Sequence, residues 1–508
     1  MTSLPGSVAT AAGGGWLVAA VVCPVVALLL AVAGGARFAA RVGVLALPVG
    51  LAIAVAIALA VAQQGAVGYH VGGWAPPLGI ALRADALSAA MLVATAIVTS
   101  GAGLYALSDF GTPRDPAAGR QTLGFWVSLL GAWAALNLAF VGRDLFNLYV
   151  ALELLTFAAV PLVCLDGRAS TLQAALRYLL YALVGSILYL LGAVLLYGAY
   201  GTLDMELLAR AVRPEPAAWA AAALMTAGLL AKTALFPLHL WLPPAHAGAP
   251  PAASAVLSAL VVKGSFFIAL RLWFDAMPEL ASAIAMQFIG LLGGGAILYG
   301  SALALRQSRL KLLVAYSTVA QIGYLFLVFP LAFDATAGRL AAGTALAGGL
   351  LQAVSHALAK AAMFMAAGLI AVALGHDRIA GLGGIARARP MSVLAFALAG
   401  ASLVGLPPSG GFAAKWMLLS AAVETGQWWW ALVIVLGGLL TGGYLVLVLM
   451  RMLEAPATPA APLQPVASWR EAVPLVLALL AVLMGFAALV PVEAGALTGA
   501  PAISGALP

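Results

Sequence analysis

Apolar runs long enough to cross a lipid bilayer follow one another from the first twenty residues of this 508-residue chain almost to its end. A hydrocarbon core about 30 Å thick takes about 20 consecutive apolar residues to span as a helix, and it holds no water to satisfy an open backbone. About fourteen such spans are predicted, separated by short connectors carrying Arg, Gly and Pro. Composition agrees, with 64% hydrophobic and only 8% charged residues, whereas a soluble domain carries roughly 25% charge. The predicted fold is an all-α polytopic membrane protein with no soluble domain. The first run, from Trp16, follows an uncharged N-terminus without a basic region and is expected to be a retained helix, not a removed signal.

The net charge of +7 is explained by topology and calls for no nucleic-acid partner. With the N-terminus outside, the inner connectors hold Arg37, Arg41, Arg114, Arg120, Arg168, Arg177, Arg306, Arg309, Lys311, Arg378, Arg387, Arg389, Arg451 and Arg470. The outer ones hold Arg83, Arg143, Arg210, Arg213, Arg271 and Arg339. This positive-inside asymmetry places both termini on the outer side of a bacterial inner (plasma) membrane. Cys23 and Cys164 fall in separate apolar spans and are expected to be packing residues.

Four regions are expected: three N-terminal spans (1–121), two blocks of five spans (122–275 and 276–454), and a last span with its tail (455–508). An odd number of crossings reverses the next copy, so the two five-helix blocks, spans 4–8 and 9–13, would be inverted repeats. Each block contains a span interrupted by proline near a lysine. In span 7 Lys232 precedes Pro237, and in span 12 Lys415 follows Pro407 and Pro408. Proline frees a helix carbonyl, and at membrane depth such a break persists only where protein or water satisfies it. An amphipathic outer connector is expected around Tyr69, His70, Trp74 and Pro76, and an interfacial belt at Trp428, Trp429 and Trp430.

Once the connectors are assigned, the cations left inside spans are Lys232, Lys263, Lys360 and Lys415, and the clear mid-span carboxylate is Glu153. The choice of lysine is informative. Arginine stays protonated in essentially any protein environment, whereas lysine can lose its proton when desolvated. Glu153 lies nine residues after the helix-starting Asp144, roughly 13 Å into the membrane at 1.5 Å per residue, and Lys263 lies roughly 18 Å from Pro251. Such a row runs along the midplane, and neighbouring helix axes about 8–10 Å apart leave gaps for water or neutral polar groups to bridge. His356, one turn before Lys360, and His239, seven residues after Lys232, are candidates. The competing reading of each lysine is a snorkelling or structurally paired cation, that of each histidine a packing residue, and that of Arg143 with Asp144 a helix cap and interface anchor.

Four stretches carry a resemblance: DLFNLYVALELLTFAAVPLV from Asp144, KTALFPLHLWLPPAHAGAPPAASAVLSALVVKGSFFIALRL from Lys232, HALAKAAMFMAAG from His356 and GLPPSGGFAAKW from Gly405. With RLKLLVAYSTVAQIGY from Arg309, the chain over about residues 120–450 resembles the antiporter-like membrane subunits of respiratory complex I, Mrp-type sodium/proton antiporters and membrane-bound or hydrogenase-4-type complexes. The resemblance implies a carboxylate at Glu153 paired with Lys232 in a broken seventh helix, continued by Lys263, Lys360 and Lys415 along a hydrated axis, with His356 matching the histidine before the eleventh-span lysine. In length, and in having lysine at 415, the chain looks nearest to the D-type member of Mrp antiporters or a hydrogenase-type counterpart.

The expected function is proton translocation, with or without Na+ exchange, inside a multi-subunit complex. The sequence has no iron–sulfur cysteine cluster, no dinucleotide fingerprint and no phosphate loop, so no cofactor is expected in this chain and it is not catalytic alone. The driving force is expected from partners: sister antiporter-like subunits, small membrane subunits or redox subunits. The alternatives are a non-pumping structural subunit and the membrane subunit of an inorganic-carbon uptake system. Neighbouring genes separate these: small cation-antiporter genes indicate an Mrp system, and hydrogenase or quinone-reductase genes a redox-driven pump.

Overall fold

The computed structural model describes residues 11, 13–113, 115–455 and 464–487. Arg114, both chain ends and the end of the last expected span lie outside the described residues. Among the described residues, twelve continuous helices are long and apolar enough to cross a membrane. They are α1 (Gly15–Gly34), α2 (Ala36–Gln64), α3 (Ala86–Phe110), α4 (Pro116–Val141), α5 (Leu145–Val163) and α6 (Ala169–Tyr200), then α9 (Pro251–Ala276), α10 (Ala283–Leu305), α11 (Leu310–Leu331) and α12 (Thr344–Leu374), and finally α15 (Trp428–Leu453) and α16 (Ser468–Ala487). Two helix pairs are interrupted: α7 (Pro216–Thr233) with α8 (Leu242–Gly248), and α13 (Pro390–Val404) with α14 (Gly410–Glu424). These are the interruptions expected from Pro237 and from Pro407 and Pro408.

Helix starts follow from local chemistry. Asp85, Asp115, Asp144, Ser282 and Ser409 each accept from a backbone N–H of the first turn that would otherwise be open. Pro24 inside α1 cannot donate to the Ala20 carbonyl, and Asn137 of α4 donates its Nδ2 to that carbonyl at 2.7 Å. At both interruptions the chain leaves the helix through a left-handed residue, Ala234 (φ 58°) and Gly405 (φ 91°).

Burial is layered. α9 is buried along its whole length, and α11 and α12 along most of theirs, whereas α1, α2, α6, α15 and α16 keep broad apolar faces on the outside. Lys263 and Lys360 sit on two of these three innermost helices, α9 and α12, and neither is exposed. Close approaches are made through glycine, as expected where lipid supplies no hydrophobic drive between helices. A Cβ on Gly228 of α7 would stand 2.3 Å from the Gly185 carbonyl of α6, and one on Gly323 of α11 would stand 2.3 Å from the Gly293 carbonyl of α10.

Several expectations are corrected. The connector around Tyr69 to Pro76 is a hairpin of β1 (Val67–His70) and β2 (Ala81–Ala84), antiparallel with Val67 opposite Ala84. It turns through Gly72 and Gly73, whose φ of 67° and 78° glycine takes without a Cβ clash. A second short hairpin pairs β3 (Phe333–Asp334) with β4 (Arg339–Leu340). Trp428 and Trp429 face outward, but Trp430 is buried and donates its Nε1 to Gln287 at 3.1 Å, so the belt has two members. Arg271 is not in a connector but inside α9 and fully buried, and Arg177 lies within α6. The lysines are therefore not the only cations within spans.

The α6–α7 contact yields a prediction. Gly228→Val should destabilise the protein by about 1–3 kcal/mol through forced separation of the two backbones. Gly198→Ala, where a Cβ meets nothing within 4 Å, should leave stability level or slightly raised. Thermal denaturation of the purified protein in detergent distinguishes the two.

Candidate functional site

The first group forms where α5, α6 and α7 meet. Lys232, in the last turn of α7 before the interruption, donates its Nζ to Thr156 Oγ1 at 2.8 Å, to the Leu152 carbonyl at 3.2 Å and to Glu153 Oε1 at 3.4 Å. Ser186 of α6 donates to the same Glu153 oxygen. Of the four expected lysines, Lys232 alone has a carboxylate in salt-bridge range among the described residues. A cavity of about 10 Å³ adjoins it, lined by Thr156, Tyr178, Val261 and Ser265 among others. That is the lower limit for a single water, and it opens from Lys232 toward α9.

The second group lies on α9, α11 and α12. Residues Leu257–Val261 of α9 form a π-turn, a widening that recurs at functional sites, and the Ser258 carbonyl within it accepts from Lys263 Nζ at 2.7 Å. The Ser258 hydroxyl shares a hydrogen bond of 2.8 Å with Thr318, which in turn donates to the Val314 carbonyl at 3.1 Å. That carbonyl also accepts from Lys360 Nζ at 2.9 Å, and Ser317 Oγ is a further partner of Lys360. Lys263 and Lys360 are thus joined through two hydroxyl-bearing residues and a peptide carbonyl.

The third group occupies the α13–α14 interruption. Lys415 donates to the Leu403 and Val404 carbonyls at 2.6 and 3.1 Å, the groups that the end of α13 leaves open, and its Nζ stands 4.4 Å from the ring centre of Tyr324. Gln321 donates to the same Leu403 carbonyl at 3.1 Å and accepts from Gln352 of α12 at 2.9 Å. Gln352, His356 and Lys360 recur every four residues and so share one face of α12, which places His356 between the second and third groups. Both His356 ring nitrogens are buried without a hydrogen-bond partner among the described residues.

His239 is placed elsewhere. It lies buried in the α7–α8 interruption, with its ring 5.3 Å from that of Tyr299, and lines a cavity with Tyr316 and the exposed Arg177. Pro237 stands in the same interruption. Asp144 caps α5 as expected, accepting from Asn147 N at 2.8 Å, but Arg143 does more than anchor an interface. It donates to Asp275 at 2.6 Å, and Arg271 bridges Asp275 at 2.9 Å and Asp85 at 2.6 Å. Burial pushes the Asp85 carboxyl up, but the adjoining Arg271 guanidinium outweighs this and holds it at about 2.

The sequence reading missed Thr156, Ser186, Ser258, Thr318, Gln321 and Gln352. For Gln352 a signal existed, since it precedes His356 by one turn on an otherwise apolar helix. For the isolated hydroxyls none did, because serine and threonine recur throughout the spans.

The profile of the family described as "NADH:quinone oxidoreductase/Mrp antiporter, TM" matches residues 142–441. The chain belongs to this family. It is 37% identical over 388 residues, 75% of this chain and 74% of the other, to the N subunit of the NADH-quinone oxidoreductase of Desulforudis audaxviator. It is 27% identical over 382 residues, with the same coverage, to the D component of the Na(+)/H(+) antiporter of Bacillus subtilis. Its fold superposes with a TM-score of 0.85 and 25% identity on a chain in the structure of the Mrp complex from Dietzia sp., covering 96% of this chain and 97% of that one. The protein is an antiporter-like membrane subunit of the complex I and Mrp type, and the expected resemblance holds.

The arginine–aspartate cluster yields its own prediction. Asp85→Ala leaves Arg271 buried beside a carboxylate it shares with Arg143, and should cost about 3–5 kcal/mol, read as a lowered Tm. A carboxyl held below its unfolded value of about 4 contributes stability above that pH and loses it as pH falls toward 2. The Asp85 contribution should therefore persist at pH 5 and vanish between about pH 4 and 2 in acid-denaturation scans.

Proposed function

We propose that this chain translocates protons along the membrane through Glu153, Lys232, Lys263, Lys360 and Lys415, as one subunit of a larger complex in a bacterial inner membrane. The observation that carries the reading is the difference in company among the lysines. Among the described residues Lys232 alone of the four has a carboxylate, at 3.4 Å, while Lys263, Lys360 and Lys415 are held by carbonyls, hydroxyls and an aromatic face. A carbonyl or hydroxyl accepts from an ammonium and, more weakly, from a neutral amine, so the hydrogen bonds at these three sites can persist in either protonation state.

In the proposed cycle, Lys232 holds a proton while its pair with Glu153 is closed. Opening the pair raises the energy of the charged amine, and the proton passes by way of the small cavity toward α9 and Lys263. It then reaches Lys360 by water bridging the gap beside the Ser258 and Thr318 hydroxyls, since the carbonyls there only accept, and passes His356 to Lys415. Each tenfold change in a protonation equilibrium is worth about 1.4 kcal/mol, and moving one charge through 100 mV takes about 2.3 kcal/mol. An ion pair opening by a few kcal/mol is therefore an adequate gate. The driving force is assigned to partner subunits, whether redox proteins or sister antiporter subunits exchanging Na+.

The same reading counts each interrupted pair, α7–α8 and α13–α14, as one crossing. That makes fourteen spans with both termini outward, in which residues 122–275 and 276–454 are inverted five-helix repeats between the N-terminal region (1–121) and the C-terminal one (455–508). The two interruptions support it: each follows a left-handed residue and each adjoins a buried lysine.

The test is proton movement by the assembled complex in proteoliposomes. Glu153→Ala and Lys232→Ala should each lower coupled translocation at least about tenfold with subunit content unchanged, and Lys232→Arg should fail as well because its charge cannot be removed. Full translocation in both alanine variants would leave a non-pumping structural role as the better account.

A further inference from the structure

The cavity beneath His239 is not used by the row of lysines. Its volume is about 410 Å³, and it is walled by Arg177 and Tyr181 of α6, Pro243 and Pro244 of α8, and Tyr316 of α11. Arg177 is exposed and Tyr181 and Tyr316 are half-buried. Among the described residues neither the guanidinium nor either phenol hydroxyl makes a hydrogen bond or ion pair. Arg309, which lines another cavity, is paired with Asp377, whereas Arg177 stands on the wall of α6.

Depth limits what can reach it. α6 has 32 residues, a length of about 48 Å against a hydrocarbon core of about 30 Å, so each end overhangs by about 9 Å when the helix is centred. Arg177 lies eight residues, about 12 Å, from the Ala169 end. Tyr316 lies six residues, about 9 Å, from the start of α11. Arg177 therefore stands about 3 Å inside the boundary between acyl chains and headgroups, close enough for its head to extend to the polar layer. The 22-residue α11 starts Tyr316 about 7 Å inside, a depth its side chain spans by lining the same cavity. From beside Arg177 into the membrane, Leu176, Leu180, Val184 and Ile187 form one exposed apolar stripe along α6, each more than half exposed.

We propose that Arg177, Tyr181 and Tyr316 seat the phosphate of an anionic phospholipid, whose acyl chains lie along the exposed stripe of α6. The guanidinium fork matches two phosphate oxygens and the phenols supply further donors. The net positive charge of the site and its position at the headgroup boundary favour a lipid over a soluble anion. The bound headgroup would cap the cavity that leads to His239, closing the α7–α8 interruption against the surrounding membrane. The seat stands on this cavity alone and does not depend on proton movement through the lysines.

The test uses the complete complex, purified in mild detergent and stripped of lipid, with bound lipid counted by native mass spectrometry. Dioleoyl phosphatidylglycerol should occupy one site on this subunit at about tenfold lower concentration than dioleoyl phosphatidylcholine. Arg177→Gln should erase that difference with subunit content intact, and the paired change Tyr181→Phe and Tyr316→Phe should reduce it. Equal binding of the two lipids, or an unchanged preference in Arg177→Gln, overturns the proposal. So does displacement of phosphatidylglycerol by millimolar inorganic phosphate, which would make this a site for the free anion. A photoreactive residue at position 176 that crosslinks to a neighbouring protein instead of lipid overturns it too. Proton translocation by the Glu153 and Lys232 variants is read separately, so either proposal can fail alone.

Discussion

Inside a bilayer a backbone carbonyl without a donor has no water to turn to, and this constraint explains where the buried amines are. Lys263 meets the carbonyl of Ser258 in a π-turn, Lys415 meets the last carbonyls of α13, and Lys360 meets Val314. Lys311, in the first turn of α11, meets Ala249 just beyond α8 at 2.6 Å. Several of these acceptors sit at a turn, break or end of a helix, where the regular ladder is disturbed. The irregularities and the lysines are thus one feature: the broken backbone needs a donor and the buried amine needs an acceptor.

The lysine row was legible because charge is rare in the spans. At 8% charged residues, each lysine inside an apolar run stands out, and the prolines around 237 and 407 announce the two interruptions by chemistry that leaves the chain little choice. What could not be read was pairing across the fold. Arg271 looked like a connector residue because it lies five residues from the end of α9, and its partner Asp85, like the Arg143 that shares Asp275 with it, is more than a hundred positions away. The hairpin at Val67–Ala84 was hidden for a similar reason, since an amphipathic connector and a short strand pair leave much the same pattern of apolar and polar residues. Counting along the chain says little about His239: seven residues beyond Lys232 would share its face in a continuous helix, but the interruption intervenes and the buried ring packs with Phe236 and Tyr299.

Two kinds of buried charge serve different ends. The Asp85–Arg271–Asp275–Arg143 cluster alternates acids and bases and ties the start of α3, the α4–α5 junction and the end of α9 into one knot. Opening it would strand several charges at once, so it suits a fixed scaffold. The Glu153–Lys232 pair is longer, at 3.4 Å, and each member has alternative partners in Ser186, Thr156 and the Leu152 carbonyl. It can part without leaving either group bare.

The scarcity of acids beside the lysines also limits occupancy. With Glu153 as the only carboxylate near the row among the described residues, a second ammonium would find no counter-ion and would feel the first. Two like charges about 10 Å apart repel by about 1.7 kcal/mol at an effective dielectric constant of about 20. Such a track disfavours double loading, so traffic along it would be metered one carrier at a time by mutual repulsion as well as by any moving gate.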